Sequence, residues 1–154
     1  FLEAYEKILV VNPTKEKFER SVIDDKFYEL LRLYANSLER ENSLLFVLGF
    51  SFADEHIRDI TLRAANSNPT LQIIVFAFND IAKHAIKTEL QIDEGSSKNN
   101  NINVLSPNDF LTSNFPDEIE RKNKMKDISI FDFKTIVNEV FTPISNLIRT
   151  KNTN

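Results

Sequence analysis

Apolar residues cluster in short runs along the chain. Three runs stand out and a fourth is shorter: Ile8–Val11, Leu44–Leu48, Leu71–Phe78 and Ile102–Leu105. The first three are nearly continuous, strand-sized and rich in β-branched or aromatic residues. Runs of this kind are typical of parallel strands that are buried on both faces of a sheet. The pattern therefore predicts a parallel sheet of about four strands.

Helical periodicity fills the intervals between these runs. Apolar residues recur at three- and four-residue steps over Lys26–Arg40, and two further helices are predicted over Phe52–Ala65 and Asp80–Ile92. Asn66–Pro69 is expected to end the second of these helices, because proline cannot continue a helix. Ser106–Asp109 is expected to start a short helix. Strands alternating with helices predict an α/β fold, a Rossmann-like parallel sheet with helices on both faces.

The last part of the chain carries an apolar stripe at helical spacing. Its members are Phe133, Ile136, Val137, Val140, Phe141, Ile144, Leu147 and Ile148. Pro143 is expected to kink or restart the helix, because proline fits best in a first turn. The stripe is either a helix packed on the sheet or a docking helix for a partner protein. We predict one unit over residues 1–115 and a helical extension over residues 116–154.

Composition narrows the classes of function. The chain has 154 residues, a formal net charge of −4 and no cysteine. The absence of cysteine excludes disulfides, thiolate nucleophiles and cysteine-ligated metals. The negative net charge argues against a dedicated nucleic-acid surface, which needs a basic face. No apolar run reaches the roughly 18 residues that span a membrane, and no signal peptide is visible. A cytoplasmic protein is expected, and because the first residue is Phe1, the natural chain is expected to extend further.

One segment combines several groups that suit ligand binding. Gly49–His56 (GFSFADEH) directly follows the run Leu44–Leu48, and ligands of doubly wound sheets bind at the carboxyl ends of strands. Gly49 permits a tight turn with close backbone approach to a ligand. Ser51 is predicted to cap the following helix, with Asp54 three residues later forming a capping box. Helix capping alone is one interpretation of this segment, and a ligand-binding turn is the other.

The charge of this turn favours one kind of ligand. A helix N-terminus attracts phosphate, but Asp54 and Glu55 lie in its first turn and oppose an anion. Ribose hydroxyls, which donate hydrogen bonds to carboxylates and to serine, suit the segment better. The three-glycine dinucleotide fingerprint and the GxxxxGK[ST] phosphate loop are both absent from the sequence.

The remaining candidates have a structural interpretation beside the functional one. His56 is one of two histidines, and it is either a structural residue or part of a site. Asp54, Glu55 and His56 are not expected to hold a metal, because adjacent helical residues do not point to one centre. No metal site is predicted. Asn79 and Asp80 follow the third apolar run, where they either cap the next helix or contact a ligand.

The string Leu44–Ile57 (LLFVLGFSFADEHI) resembles a bacterial sirtuin-like domain. Domains of this family occur in many prokaryotic anti-phage defence proteins, some paired with a hexameric DNA-translocating ATPase. In the family a strand ends in Gly-aromatic-Ser-x-x-Asp-x-His-Ile. Ile8–Phe18 and Ile73–Asn79 look like the preceding and following strands, so the resemblance covers roughly residues 5–110.

This resemblance implies that the chain binds NAD, as ligand or substrate. The residues implied in cofactor binding are Gly49, Phe50, Ser51, Asp54, His56 and Asn79. Gly49 and Ser51 would line the site near ribose and phosphate, and Asn79 would lie near the adenosine ribose. Residues 106–110 would close over the adenine.

The sequence also departs from the family. There, the glycine-rich cofactor loop and the Asn and His that drive nicotinamide release lie in the N-terminal half, but no GAGxS-like loop occurs in this chain. Neither His56 nor His84 maps onto the catalytic histidine, so we name no catalytic residue. The zinc-binding cysteines of deacylating sirtuins are missing as well. Residues 1–115 are therefore interpreted as the C-terminal half of a sirtuin-like domain, inactive alone, whose parent protein hydrolyses NAD rather than deacylating proteins.

Three hypotheses of function follow. The first is the C-terminal portion of a sirtuin-like NAD-consuming effector that releases nicotinamide and ADP-ribose, with a role in anti-phage defence. The second is a non-catalytic module that binds NAD or ADP-ribose, or that drives oligomerisation. The third is an unrelated flavodoxin-like domain. Expected partners are the missing N-terminal half of the domain, further copies of the chain in a homo-oligomer, and a DNA-translocating ATPase; no membrane and no direct nucleic-acid binding is expected.

Overall fold

The computed structural model describes residues 22–92 and 100–151. Its elements, in chain order, are α1 (Val22–Leu38), β1 (Leu44–Leu48), α2 (Glu55–Ser67), β2 (Gln72–Phe76), α3 (Asp80–Glu89), β3 (Ile102–Leu105), α4 (Pro107–Asn114), α5 (Glu118–Lys124), α6 (Phe133–Ile136), a π-helical turn (Val137–Phe141) and α7 (Thr142–Lys151). The predicted strand Ile8–Val11 lies outside the described residues. Within them, no helix is both long and apolar enough to cross a membrane.

The three strands form one parallel sheet with β2 in the middle. β1 pairs with β2 from Leu44 opposite Gln72 to Leu48 opposite Phe76, and β3 pairs with the other side of β2. The strand order is β1-β2-β3. The predicted α/β fold with a Rossmann-like parallel sheet is confirmed, with three strands in the part of the chain that the structure describes.

One face of the sheet packs against α1, α2 and α3. Alternate strand residues point to this face because side chains alternate along a strand. The buried core there includes Leu38 from α1, Val47, Ala64 and Ala65 from α2, Ile73, Val75, Ile86 from α3, Leu90 and Val104. The predicted apolar faces of these helices therefore form the first layer of the domain.

The opposite face of the sheet packs against the C-terminal part of the chain. Phe76 forms a buried cluster there with Leu111, Ile128, Phe131 and Ile136. Ring contacts join the sheet to this layer, since the Phe76 centroid lies 5.6 Å from that of Phe131. Helical segments thus cover both faces of the sheet, as the sequence predicted.

The C-terminal apolar stripe is buried only in its middle, where Ile136, Val140 and Phe141 pack in the cluster under the sheet, whereas Phe133 at its start is 75% exposed. Ile136 is 1% exposed, whereas Leu147 in α7 is 63% exposed. A π-helical turn separates α6 from α7, and the Thr142 N–H donates to the carbonyl of Val137, five residues back. Pro143, the second residue of α7, marks the restart that its ring geometry predicted. Packing on the sheet is confirmed for Ile136, Val140 and Phe141, while Phe133 and the apolar face of α7 are exposed.

β1 is less covered than its continuous apolar run predicted. Leu44 is 54% exposed and Phe46 is 38% exposed. Phe46 contacts the ring of Phe141 at 5.2 Å, but the C-terminal layer does not enclose the whole outer strand. Among the described residues β1 pairs on one side only, so it forms an edge of the sheet.

Candidate functional site

Three turns meet at the carboxyl edge of the sheet. Each begins where a strand ends and leads into a helix: Gly49–Asp54 after β1, Ala77–Asn79 after β2, and Ser106 after β3. Neighbouring strands lie roughly 4.8 Å apart, and the Ala77 N–H donates to the carbonyl of Leu105 at 2.9 Å. The sheet therefore brings the Gly49 turn and Asn79 to the same edge, where ligands of parallel α/β sheets bind.

Gly49 adopts a backbone conformation that favours glycine. Its φ angle is +66°, in the left-handed region that other residues enter at a cost. A Cβ built on Gly49 would meet no described atom within 4 Å. The glycine is therefore required by the turn itself and not by crowding, and its outer side is open to a ligand.

The prediction that Ser51 caps the helix is wrong. The helix begins at Glu55, not near Phe52, and its N-cap is Asp54. The Asp54 carboxylate accepts hydrogen bonds from the backbone N–H groups of His56 at 2.9 Å and Ile57 at 3.1 Å. Ser51 is exposed and lies three residues before the cap. The side chain of Ser51 therefore has no capping role.

Phe52 explains why the helix starts late. Its side chain is fully buried, and its φ of +62° is not helical. The guanidinium of Arg58 donates to the Phe52 carbonyl at 3.3 Å and to Glu89 at 2.6 Å. Phe50, next to Ser51, stacks edge-on against Phe52 with centroids 5.1 Å apart. Burial of the Phe52 side chain thus holds this residue in a left-handed backbone conformation, so the helix cannot begin before it.

The other two turns are also closed by polar caps. The Asn79 side chain accepts from the Ala82 N–H at 2.8 Å, which confirms the capping interpretation of this residue. Ser106 and Asp109 form a capping box at the start of α4. Asp54, Asn79 and Ser106 therefore satisfy the free N–H groups of three helices at one edge of the sheet.

An ion pair ties the second turn to the third. The Lys83 ammonium of α3 lies 2.7 Å from the Asp109 carboxylate of α4, and both side chains are mostly buried. Burial raises the pKa of Asp109, but the hydrogen bonds from Lys83 and Ser106 outweigh it, so the net pKa lies below its usual range. Asp109 is therefore ionised near neutral pH, and the Lys83 ammonium balances its charge.

A pocket of about 440 Å³ opens between these two turns. Its inner walls are Asn79 and Asp80 at the start of α3, with Pro107, Asn108 and Leu111 of α4. The volume falls within the roughly 300–1,000 Å³ of typical ligand pockets. The lining combines two asparagines and an aspartate with the apolar residues Pro107 and Leu111.

The third wall of this pocket was not predicted from sequence. Met125, Ile128 and Ser129 line it from the segment between α5 and α6. Ile128 is fully buried. The available signal was the pair of apolar residues, Met125 and Ile128, inside an otherwise charged stretch.

His56 lies apart from this pocket. It lines a separate groove of about 230 Å³ between α1 and α2, together with Tyr28, Asp59 and Arg63. The sequence motif that ends in His56 is therefore divided by the fold. Gly49 and Ser51 face the carboxyl edge, whereas the side chain of His56 belongs to the helical layer.

Comparison with known proteins gives the family. The family model of the SIR2-like domain matches residues 7–105, which is well over half of the 154-residue chain. The chain therefore belongs to the SIR2-like family. The sirtuin-like resemblance is confirmed. SIR2-like domains generally bind NAD, which indicates an NAD-related function. No curated protein and no solved structure gives a significant match.

Proposed function

We propose that this chain binds NAD along the carboxyl edge of its sheet. The observation that carries the proposal is the pocket between Asn79 and Asn108, at the same sheet edge as the Gly49 turn of the motif that resembles sirtuin-like domains. Asn79 and Gly49 lie inside the family match and follow adjacent strands. The pocket would hold the adenosine half of the dinucleotide, with the remainder running toward Gly49 and Ser51.

The polar groups at this edge fit a ribose better than a bare phosphate. Each of the three helix N-termini is already capped, and Glu55 and Asp80 place carboxylates in the first turns of α2 and α3. Carboxylates accept hydrogen bonds from hydroxyl groups and oppose anions. Ser51 is exposed beside Gly49, so its hydroxyl is positioned to donate to a phosphate or accept from a ribose. The residues present therefore fit an NAD-type ligand.

The reaction that we propose for the parent protein is NAD hydrolysis. The bond between the nicotinamide nitrogen and the ribose C1′ breaks, water supplies the hydroxyl of ADP-ribose, and nicotinamide leaves. This chain would hold the adenosine half, and the N-terminal half of the domain would supply the groups that act on nicotinamide. The chain has no cysteine to form a zinc site of the deacylating type, which favours hydrolysis over deacylation.

The biological setting that we propose is bacterial anti-phage defence in the cytoplasm. In that setting the effector forms a homo-oligomer and works with a DNA-translocating ATPase, whose activity couples infection to NAD loss. A net charge of −4 favours a protein partner over direct contact with nucleic acid.

The test of hydrolysis uses the intact parent protein with its partner and trigger. Nicotinamide and ADP-ribose released from NAD are measured by chromatography, for the wild type and for Ser51→Ala. We expect turnover by the wild type and about tenfold lower kcat/KM for the variant, because Ser51→Ala removes one hydrogen bond to the ligand. No turnover by the intact, triggered assembly would refute NAD hydrolysis.

The alternative is a module that binds NAD or ADP-ribose without turnover and drives oligomerisation. The apolar face of α7 favours it, because Ile144, Leu147 and Ile148 are 47%, 63% and 55% exposed at a spacing that places them on one helix face. Leu147→Lys should dissociate an oligomer, while Asn146→Lys adds the same charge at a neighbouring exposed position. Analytical sedimentation measures the oligomeric state of both variants. An oligomer that survives Leu147→Lys excludes α7 as its interface.

A further inference from the structure

The segment between α5 and α6 is built into the edge of the sheet. The Phe131 N–H donates to the carbonyl of Phe78 at 3.0 Å, directly before Asn79 in the sequence. Ile128 is fully buried and Phe131 is 4% exposed. Main-chain hydrogen bonding and apolar burial thus fix Met125–Phe131 against the same turn that supplies Asn79 to the pocket.

This segment lies outside the residues that define the family. The family match ends at residue 105, whereas Met125, Ile128 and Ser129 form the outer wall of the pocket. The inner walls come from the turns after β2 and β3. Pro107, Asn108 and Leu111 also lie beyond residue 105, so Asn79 and Asp80 are the lining residues inside the family match.

Met125 is the residue of this wall best placed to meet a ligand. Ile128 is fully buried, but Met125 is 49% exposed at the pocket. A thioether is polarizable and makes favourable contacts with aromatic rings. Asn108 and Ser129, which also line the pocket, offer polar groups to the edge of such a ring.

We propose that Met125 packs on the base of the bound nucleotide and makes the segment Met125–Phe131 a determinant of specificity. This inference rests on the proposed function. The pocket then selects ligands that carry an aromatic base, such as ADP-ribose and AMP, over ribose 5-phosphate. The segment after residue 115 is part of the ligand site as well as a cover for the sheet.

The chain offers a direct probe, because Met125 is its only methionine. Methyl-¹³C-methionine labelling of the full chain gives the Met125 methyl resonance, and Met125→Leu identifies it by removing it. We expect ADP-ribose and AMP to shift this resonance through the ring current of adenine, and ribose 5-phosphate to leave it in place. Calorimetry supplies the affinity of each ligand independently.

Substitution tests the contribution to binding. Met125→Ala should weaken ADP-ribose binding by about three- to tenfold, as expected for the loss of a partly buried apolar contact, whereas Met125→Leu stays within about twofold of the wild type. Ile119→Ala is the matched control, because Ile119 is an apolar residue of α5 that is 73% exposed. Its affinity should equal that of the wild type.

The outcomes separate this inference from the proposed function. If ADP-ribose binds the wild type while the Met125 methyl and the affinity of Met125→Ala stay unchanged, the role of Met125 is refuted and NAD binding stands. If the folded wild type binds neither ADP-ribose nor AMP, both are refuted. Circular dichroism of Met125→Ala establishes that its fold is intact.

Discussion

Replacing Asp54 by alanine tests the turn that follows β1. The Asp54 carboxylate accepts from two backbone N–H groups, those of His56 and Ile57, and α2 has no other side-chain cap. Alanine leaves both donors without a protein acceptor. Loss of an Asp N-cap costs about 0.5–2 kcal/mol of the free energy of unfolding. Because both bonds go to an ionised acceptor, we expect a value in the upper half of that range.

The assay is urea unfolding followed by circular dichroism. For a domain of this size a loss of about 1 kcal/mol also lowers Tm by roughly 2–4 °C. Asp54→Asn keeps an oxygen that can accept the same bonds, so it should recover most of the lost stability. Ser51→Ala should change the free energy of unfolding by less than about 0.5 kcal/mol, as is usual for an exposed residue with no structural contact.

The opposite ranking would refute this account. If Ser51→Ala destabilises the chain and Asp54→Ala does not, the helix begins near Phe52, as the sequence pattern predicted. The distinction also matters for function, because a serine without a capping role can be replaced without disturbing the fold. Any change in ligand affinity of Ser51→Ala then reports the loss of a contact with the ligand.

Three further substitutions probe the surrounding structure. Asn68→Ala should cost about 1–3 kcal/mol in urea unfolding, because it removes the amide that donates to the carbonyls of Leu38 and Arg40. The exposed Asn66→Ala should cost less than about 0.5 kcal/mol, and equal costs would contradict the network. Gly49→Ala should cost about 1–2 kcal/mol at a φ of +66°, and an unchanged unfolding midpoint would contradict that strain. The pKa of Asp109 is lowered in the folded chain, so its ionised form stabilises the fold at pH values above the unfolded pKa of about 3.9, and this stabilisation is lost as pH falls through the lower folded pKa. Lys83→Met should flatten this part of the stability–pH profile, and an unaltered profile would contradict the pairing.

Much of the fold follows from local patterns in the sequence. The runs that contain β1, β2 and β3 are short, apolar and bounded by polar turns, so their strand structure and parallel order could be predicted. Asn79 and Ser106 lie in the turns that follow β2 and β3 and cap the next helix, as their side-chain chemistry indicates. Local chemistry and position agree in these cases, and prediction succeeds there.

The start of α2 depends on a tertiary effect that no local pattern contains. Ser51 is as good a capping residue as Asp54. The choice is made by the burial of Phe52, whose left-handed backbone is held by Arg58. The same reason applies to Met125, whose segment is joined to the turn after β2 by the hydrogen bond from the Phe131 N–H to the Phe78 carbonyl. Neither contact is visible from residue spacing.

The central claim is that the carboxyl edge beside Gly49 binds an NAD-type ligand, and one titration tests it most directly. ADP-ribose is titrated calorimetrically into the 154-residue chain and into Ser51→Ala, with the unfolding midpoint of each recorded. We predict micromolar binding by the wild type and about tenfold weaker binding by the variant, with equal midpoints. Equal affinities for both, or no binding by a folded wild-type chain, would contradict the account.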